Sequence, residues 1–398
     1  MYRTAVSIRG AAALAAVLLT LAACQSGSSS PTGAGASAPS SPTLISSKFF
    51  VKADFDRQLA QRQVTPEGPA DQPWLQALQP TWVDTTHFKK APPWKVCFSN
   101  ADFTNPWRLT GYSTMRAELK LHPEITTFTV LQAGGKDDKQ ISDLAGLDAG
   151  KCDAIIVSPN TTVALTPAVE KACQTGVPVV VFDRGVNTTC QVTYIHPIGG
   201  YAYGATAADF LIANTRTGGN ILALRILPGV DVLETRWAAA QYLFAQAHRN
   251  VLGVEFTGAD PAKTKSIVDD YLKRGKPIDG VWLDAGATAA AAAQAFIDAG
   301  KPVPPITGED QLDFLTLWQQ KHLTAIAPTY PAYVWRTAII ATVDILSGVR
   351  VPKEWVLPQP SITSQNLNQY VDTRMPPVFY ALCGCQRMDG FPRAWGGK

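Results

Sequence analysis

Polar and aromatic side chains recur just after short apolar runs in this 398-residue chain. Asn105, Trp107 and Arg108 follow the run from Trp94 to Ser99, and Ser158 and Asn160 follow the run from Cys152 to Val157. Asp183 and Arg184 follow Pro178 to Phe182, and Arg236 lies in the stretch after Asn220 to Arg225. Asp284 closes a run that starts at Gly280. Glu309 and Asp310 follow Val303 to Thr307, and Thr329 and Tyr330 follow Leu323 to Ala327. Carboxylates and guanidinium groups hydrogen-bond pairs of hydroxyls, and an indole covers an apolar ring face. Together these residue types offer recognition of a small polyhydroxy ligand. Each also has a plainer reading. Asn105 before Pro106 is a helix N-cap with Pro at N1, Asp183 and Arg184 form a local ion pair, and Trp107 is core. Their shared place after the runs is what favours one common cleft.

The runs are of strand length. Ile125 to Leu131 and Val192 to Ile195 complete a first series, and Val251 to Phe256 joins the second. Helix-length amphipathic segments separate them, at about 106–120, 137–149 and 161–175, then 200–215, 231–248, 261–273, 286–299, 311–321 and 332–347. Strands alternating with helices predict parallel α/β architecture, and two series predict two doubly wound lobes. Ligands of such sheets bind at the carboxyl ends of the strands, where the polar residues fall. Before Trp94 the chain is irregular, with one amphipathic helix expected over Phe49 to Gln63 and then many Pro and Trp residues. An extension packed on the body is expected there. Past residue 355 the alternation is lost, so crossover strands and a tail are expected.

The N-terminus has its own chemistry. Arg3 and Arg9 precede an apolar run from Ala11 to Leu21, too short to span a bilayer, and then Leu21-Ala22-Ala23-Cys24. This reads as a signal peptide, and the tetrapeptide looks like the bacterial lipobox, in which the Cys thiol is diacylated. Residues 25–43 are almost wholly Ser, Gly, Ala, Pro and Thr, a flexible tether reaching roughly 25 Å. The protein is therefore expected outside the cytoplasmic membrane, held to it by a lipid on Cys24. The formal net charge is +3, and two of those charges, on Arg3 and Arg9, would leave with the signal peptide. So nearly neutral a surface argues against a nucleic-acid partner. Six cysteines remain after Cys24, an even number that suits disulfides in an exported protein. Cys173 and Cys190 are the expected pair. Cys97 and Cys152, in or beside core strands, are expected as buried free thiols. Cys383-Gly-Cys385 is given a structural role, with no metal or cofactor expected.

From Trp94 to about Val371 the chain resembles the ribose-type (type I) periplasmic sugar-binding proteins, the solute receptors of ABC importers. The resemblance rests on Asn105-Pro106-Trp107, Ser158-Pro159, Val181-Phe182-Asp183-Arg184, Gly229 with Arg236 seven residues on, Gly308-Glu309-Asp310, and Ala325-Ile326-Ala327 before Thr329. It implies two lobes joined by three hinge crossovers. Residues 94–197 and 330–357 would form one lobe, 198–329 and 358–372 the other, with an extension over 44–93 and a tail over 373–398. It implies that Asn105, Asp183, Arg184, Arg236 and Asp310 hydrogen-bond sugar hydroxyls and that Trp107 stacks on the ring. Arg108 stands where ribose-type members have a second aromatic, Ala285 with Asp284 where many have Asn, and Thr329 where they have Gln. A monomer that docks on a permease is implied.

An enzyme finds little support. The sequence has no Walker-type phosphate loop, no His-Glu-x-x-His and no Gly-x-Ser-x-Gly. Asp183 and Asp310 as paired carboxylates would suit glycoside hydrolysis, but Arg184 and Arg236 beside them are expected to keep both ionised. No catalytic residue is assigned. A receptor that presents ligand to a membrane sensor is the alternative to transport.

Overall fold

The computed structural model describes residues 48–398. The expected signal peptide, Cys24 and the tether lie outside the described residues. The extension supplies helix α1 (Lys52–Gln61) and strand β1 (Trp82–Val83). A first lobe follows: β2 (Trp94–Asn100), α2 (Pro106–Leu119), β3 (Ile125–Gln132), α3 (Asp137–Ala145), β4 (Ala154–Ser158), α4 (Thr162–Gln174), β5 (Val179–Phe182) and β6 (Thr193–Pro197). The second repeats the plan: α5 (Gly200–Asn214), β7 (Asn220–Arg225), α6 (Asp231–Gln246), β8 (Asn250–Phe256), α7 (Pro261–Lys273), β9 (Gly280–Leu283), α8 (Ala289–Asp298), β10 (Ile306–Thr307), α9 (Leu312–Lys321) and β11 (Ala325–Pro328). Then come α10 (Val334–Ser347), β12 (Val351–Pro352), β13 (Glu354–Leu357) and β14 (Ser361–Ile362).

Each lobe is built on a six-stranded sheet. The first has the order β3-β2-β4-β5-β6-β13 and is parallel throughout. The second has the order β8-β7-β9-β10-β11-β14, with β14 antiparallel to β11. Helices cover both faces, so the central strands are apolar on both sides: every residue of β4, β5 and β9 is buried. In both lobes the first strand lies one in from the edge. The strand order therefore reverses beside β2 and again beside β7, and such a switch point is where open α/β sheets bind ligands.

The chain passes from one sheet to the other after β6, after β11 and after β13. The three crossovers are tied together. Gly199 N donates to Gln359 Oε1 (2.9 Å), Gln359 Nε2 donates to the Thr329 carbonyl (2.9 Å), and Thr329 Oγ1 donates to the Pro360 carbonyl (2.6 Å). Thr329 thus ties two of the crossovers together.

Some boundaries differ from expectation. β10 is only Ile306–Thr307, because Pro302, Pro304 and Pro305 bring no N–H to the ladder. The extension helix is trimmed to Lys52–Gln61, and α3 stops at Ala145 before Gly146. The expectation of free thiols at Cys97 and Cys152 is corrected: they are bonded to each other, with Cα atoms 5.7 Å apart. Cys97 lies on β2, and Cys152 lies just before β4, the strand that pairs with it. Cys173 is bonded to Cys190 and Cys383 to Cys385. Among the described residues no helix is long and apolar enough to cross a membrane.

Candidate functional site

In the first lobe the strand ends gather around a buried guanidinium. Asn105 is the N-cap of α2, its side chain accepting from Arg108 N at 2.9 Å. That cap turns Arg108 inward, where it is 1% exposed. Its Nη1 donates to Asn100 Oδ1 (3.2 Å) and Ser158 Oγ (3.1 Å), and its Nη2 to Asp183 Oδ2 (2.6 Å). Asp102 lies 4.0 Å from Nε. Asp183 holds a left-handed backbone, φ 68°, a conformation Asp tolerates better than most residues. The turn presents its carbonyl to two phenols, Tyr194 Oη and Tyr330 Oη, each donating at 3.1 Å. The local ion pair that was the plainer reading of Asp183 and Arg184 is not formed; Arg184 Nη1 donates instead to the Asn160 carbonyl.

Trp107 is half-buried. Its indole N–H donates to the Tyr330 carbonyl (2.7 Å), and its ring meets Tyr330 and Trp335 edge-on at 5.5 and 5.9 Å. It helps to fix Tyr330, which joins the lobes: Tyr330 bonds Asp183 on one side and lies 5.3 Å under the Arg236 guanidinium on the other.

The second lobe has its own buried charges. Gly204 lets α5 and α6 touch, since a Cβ there would lie 1.9 Å from the Arg236 carbonyl. Arg236 is thereby held over the Tyr203 ring at 3.8 Å. Its Nη1 donates to the Asp284 carbonyl (2.5 Å) and approaches Glu309 Oε1 at 3.5 Å. Arg225, the last residue of β7, lies 3.0 Å from Glu234 and 3.6 Å from Asp284. Burial pushes Asp284 up to about 7, against the pull of Arg225 and Arg236.

Asp310 is buried, and among the described residues no guanidinium pairs with it. Burial, reinforced by Glu309, pushes it up to about 8. Its Oδ2 accepts from Leu382 N (2.7 Å) and its carbonyl from Ala381 N (2.9 Å), while Oδ1 has no protein partner. The C-terminal tail thus covers the side chain that sequence reasoning turned to a ligand.

What remains open between the lobes is a cavity of ≈ 470 Å³. Of the candidate residues, Asp183 and Arg184 line it, with Asn160 and Tyr330 beside them. The first turns of α4 (Thr162, Val163) and α6 (Asp231, Val232, Thr235) face it from opposite lobes. Asn105, Trp107, Arg108, Ser158, Arg236, Asp284, Asp310 and Thr329 are outside the lining. The first five and Asp284 shape the two strand-end clusters from behind. Sequence reasoning missed Tyr194 and His196, whose alternation along β6 puts both on one face, stacked at 4.3 Å. It also missed Arg57 and Gln58 of α1, which reach the cavity from the extension.

Residues 96–349 match the model of the periplasmic binding protein domain. A curated relative is the ribose import binding protein of Bacillus subtilis, 23% identical over 274 residues, 69% of this chain and 88% of that protein. The solved ABC transporter solute binding protein of Thermobispora bispora superposes with a TM-score of 0.64 at 23% identity, over 72% of this chain and 90% of that one. One from Bacillus halodurans with bound myo-inositol gives 0.63 at 17% identity, over 71% and 98%. The periplasmic component of the arabinose ABC transporter of a Shewanella species gives 0.62 at 22% identity, over 69% and 93%. These are binding proteins and not enzymes, and the two parallel-sheet lobes, the matched span and the strand-end cleft agree: the chain belongs to the periplasmic binding protein family.

Proposed function

We propose that this protein is the exported solute receptor of an ABC importer, taking a neutral sugar or polyol between its lobes and passing it to a permease. The cavity of ≈ 470 Å³ at the carboxyl ends of both sheets carries this reading. Its size suits a small molecule. Its lining mixes Arg57 and Arg184 with Asp183, Asp231 and Glu354, guanidinium and carboxylate groups in near balance, which favours hydroxyls over a net charge. Asp183 and Arg184 are the ligand contacts in this reading. Arg108 and Ser158 hold Asp183 in place, and Tyr330 closes the space between lobes. Asn105, Trp107, Arg236, Asp284, Asp310 and Thr329 act as supports for that surface. The relatives named above for ribose, myo-inositol and arabinose support a sugar or polyol here. The lobes close around the ligand by hinge motion, and the closed monomer docks on the permease. Lipid on Cys24 and the tether after it keep the receptor at the membrane.

The test is a thermal-shift panel of D-ribose, L-arabinose, D-fructose, D-allose and myo-inositol. A bound ligand raises Tm by mass action. At least one member should raise Tm in the wild type and do so much less in Arg184→Ala. No shift with any member would sink the reading.

A further inference from the structure

The cavity has a wall that neither lobe supplies. Helix α1 precedes the matched span of residues 96–349. It is fastened to the second lobe by an aromatic cluster: Phe55 is 4% exposed and packs with Phe50 against Tyr201 and Tyr242. Polar bonds fix its height on that lobe. Val51 N donates to Tyr201 Oη (2.8 Å), and Ala202 N donates to Gln58 Oε1 (3.1 Å). The first crossover runs directly beneath. Gly199 has φ 138°, and a Cβ there would lie 2.6 Å from the Gln58 amide, so crossover and helix are fitted to each other.

Arg57 points the other way, across the mouth of the cavity to the first lobe. It stands 3.8 Å from Glu354 on β13, whose Oε1 is 2.9 Å from His196 Nε2 on β6. Its other carboxylate, Asp54, is at 3.3 Å. Both distances lie at or beyond the edge of hydrogen-bonding range, so the five-donor guanidinium has donors left to give. A rigid helix therefore carries an unsaturated guanidinium over a cavity lined by Asp183, Arg184 and Tyr330.

We propose that α1 is the third wall of the ligand site, and that Arg57 is a specificity-determining contact for a hydroxyl of a neutral sugar or polyol. This rests on the sugar-receptor reading above. Because α1 rides on the second lobe and Arg57 reaches the first, the contact tightens as the lobes close. A ligand with a hydroxyl at that end is preferred over one without.

The test uses the full folded chain and the same five probes, with affinities measured by isothermal titration for wild type, Arg57→Ala, Arg57→Lys and Lys52→Ala. Lys52 lies on the same helix, paired to Asp56 at the surface and outside the cavity lining. Arg57→Ala should weaken the tightest probe by about 10- to 100-fold, the scale of a hydrogen bond to a charged group, and change the order of preference. Arg57→Lys should recover part of the loss, since it keeps the charge without the fork. Lys52→Ala should match wild type, and ligand-free Tm should be equal in all four. Wild-type affinity and order in Arg57→Ala, while Arg184→Ala still loses binding, overturns the third wall and leaves the receptor reading standing. A lower ligand-free Tm with no recovery in Arg57→Lys assigns Arg57 to structure alone and overturns it too. A wild type that binds none of the five overturns the receptor reading, and this inference with it.

Discussion

Asp183 and Arg184 are neighbours with opposite duties. Asp183 accepts the buried Arg108 at 2.6 Å, and removing one member of a buried pair leaves an uncompensated charge. Arg184 is partly exposed, and its hydrogen bond among the described residues goes to a carbonyl. Asp183→Ala should therefore cost about 3–5 kcal/mol of stability, read from urea midpoints. Arg184→Ala should stay within about 0.5 kcal/mol of wild type while losing ligand affinity. Equal destabilisation by both would refute that division. Asp310 makes a prediction about pH. In the native state it holds its proton up to about 8, whereas an unfolded Asp releases it near pH 4. The native state binds more protons across that window, so stability falls as pH rises from about 4 to about 8. Asp284, pushed up to about 7, contributes with the same sign. Asp310→Asn keeps an acceptor for Leu382 N and removes this titration. Its Tm should therefore exceed that of wild type at pH values above about 8 and fall less steeply on the way there. Parallel Tm curves for the two proteins would show that the slope comes from elsewhere.

At the scale of elements, the central strands were legible because burial on both faces writes them as short, continuous apolar runs. β4 and β5 are buried throughout and lie where the sequence places them. The strand-end rule picked out Asp183 and Arg184, which line the cavity. It could not say which way a side chain turns. Arg108 goes inward because Asn105 caps α2 and Asp183 waits behind it, and neither fact is local to Arg108. The same limit hid the Cys97–Cys152 bond, because nothing local to either cysteine shows that β2 pairs with β4, the strand that Cys152 precedes. That bond makes a comparison possible. It spans a sequence separation of 55, against 17 for Cys173–Cys190. Closing the longer loop removes more freedom from the unfolded chain, by about 1 kcal/mol on the logarithmic scaling. Cys97→Ala with Cys152→Ala should therefore cost about 1 kcal/mol more than Cys173→Ala with Cys190→Ala in guanidinium unfolding. The reverse order would place native strain above chain entropy here.

For the whole molecule, the two ends of the chain matter as much as the lobes. If Cys24 carries the lipid proposed above, Cys24→Ser should release the protein from the membrane fraction without changing its affinity for the best sugar probe; lost affinity would give the anchor a part in binding. The tail was the least legible segment. Pro376, Pro377, Gly384, Gly390 and Pro392 break any period that a sequence reading could follow. Yet it is firmly held, and by both lobes. Leu382 N bonds Asp310, and Leu312 N bonds the Phe379 carbonyl at 2.9 Å, on the second lobe. On the first lobe, Trp395 Nε1 donates to Thr114 Oγ1 of α2 at 3.0 Å. Met375, Phe379, Cys383, Cys385 and Trp395 form one apolar cluster with Ala117 of α2 and Leu312 of α9. If the lobes part by the hinge motion proposed above, opening must stretch or shed this strap, and the strap should then limit how far the empty lobes part. Trp395→Ala removes the indole anchor and should cost about 3–5 kcal/mol as a cavity, and Thr114→Val removes only the acceptor. Spin labels placed on α4 and α7 should then report a wider spread of interlobe distances for ligand-free Trp395→Ala than for wild type. Thr114→Val should fall between them, and a saturating sugar should return all three to one closed distance. An unchanged ligand-free spread in both variants would mean that the three crossovers alone set the opening.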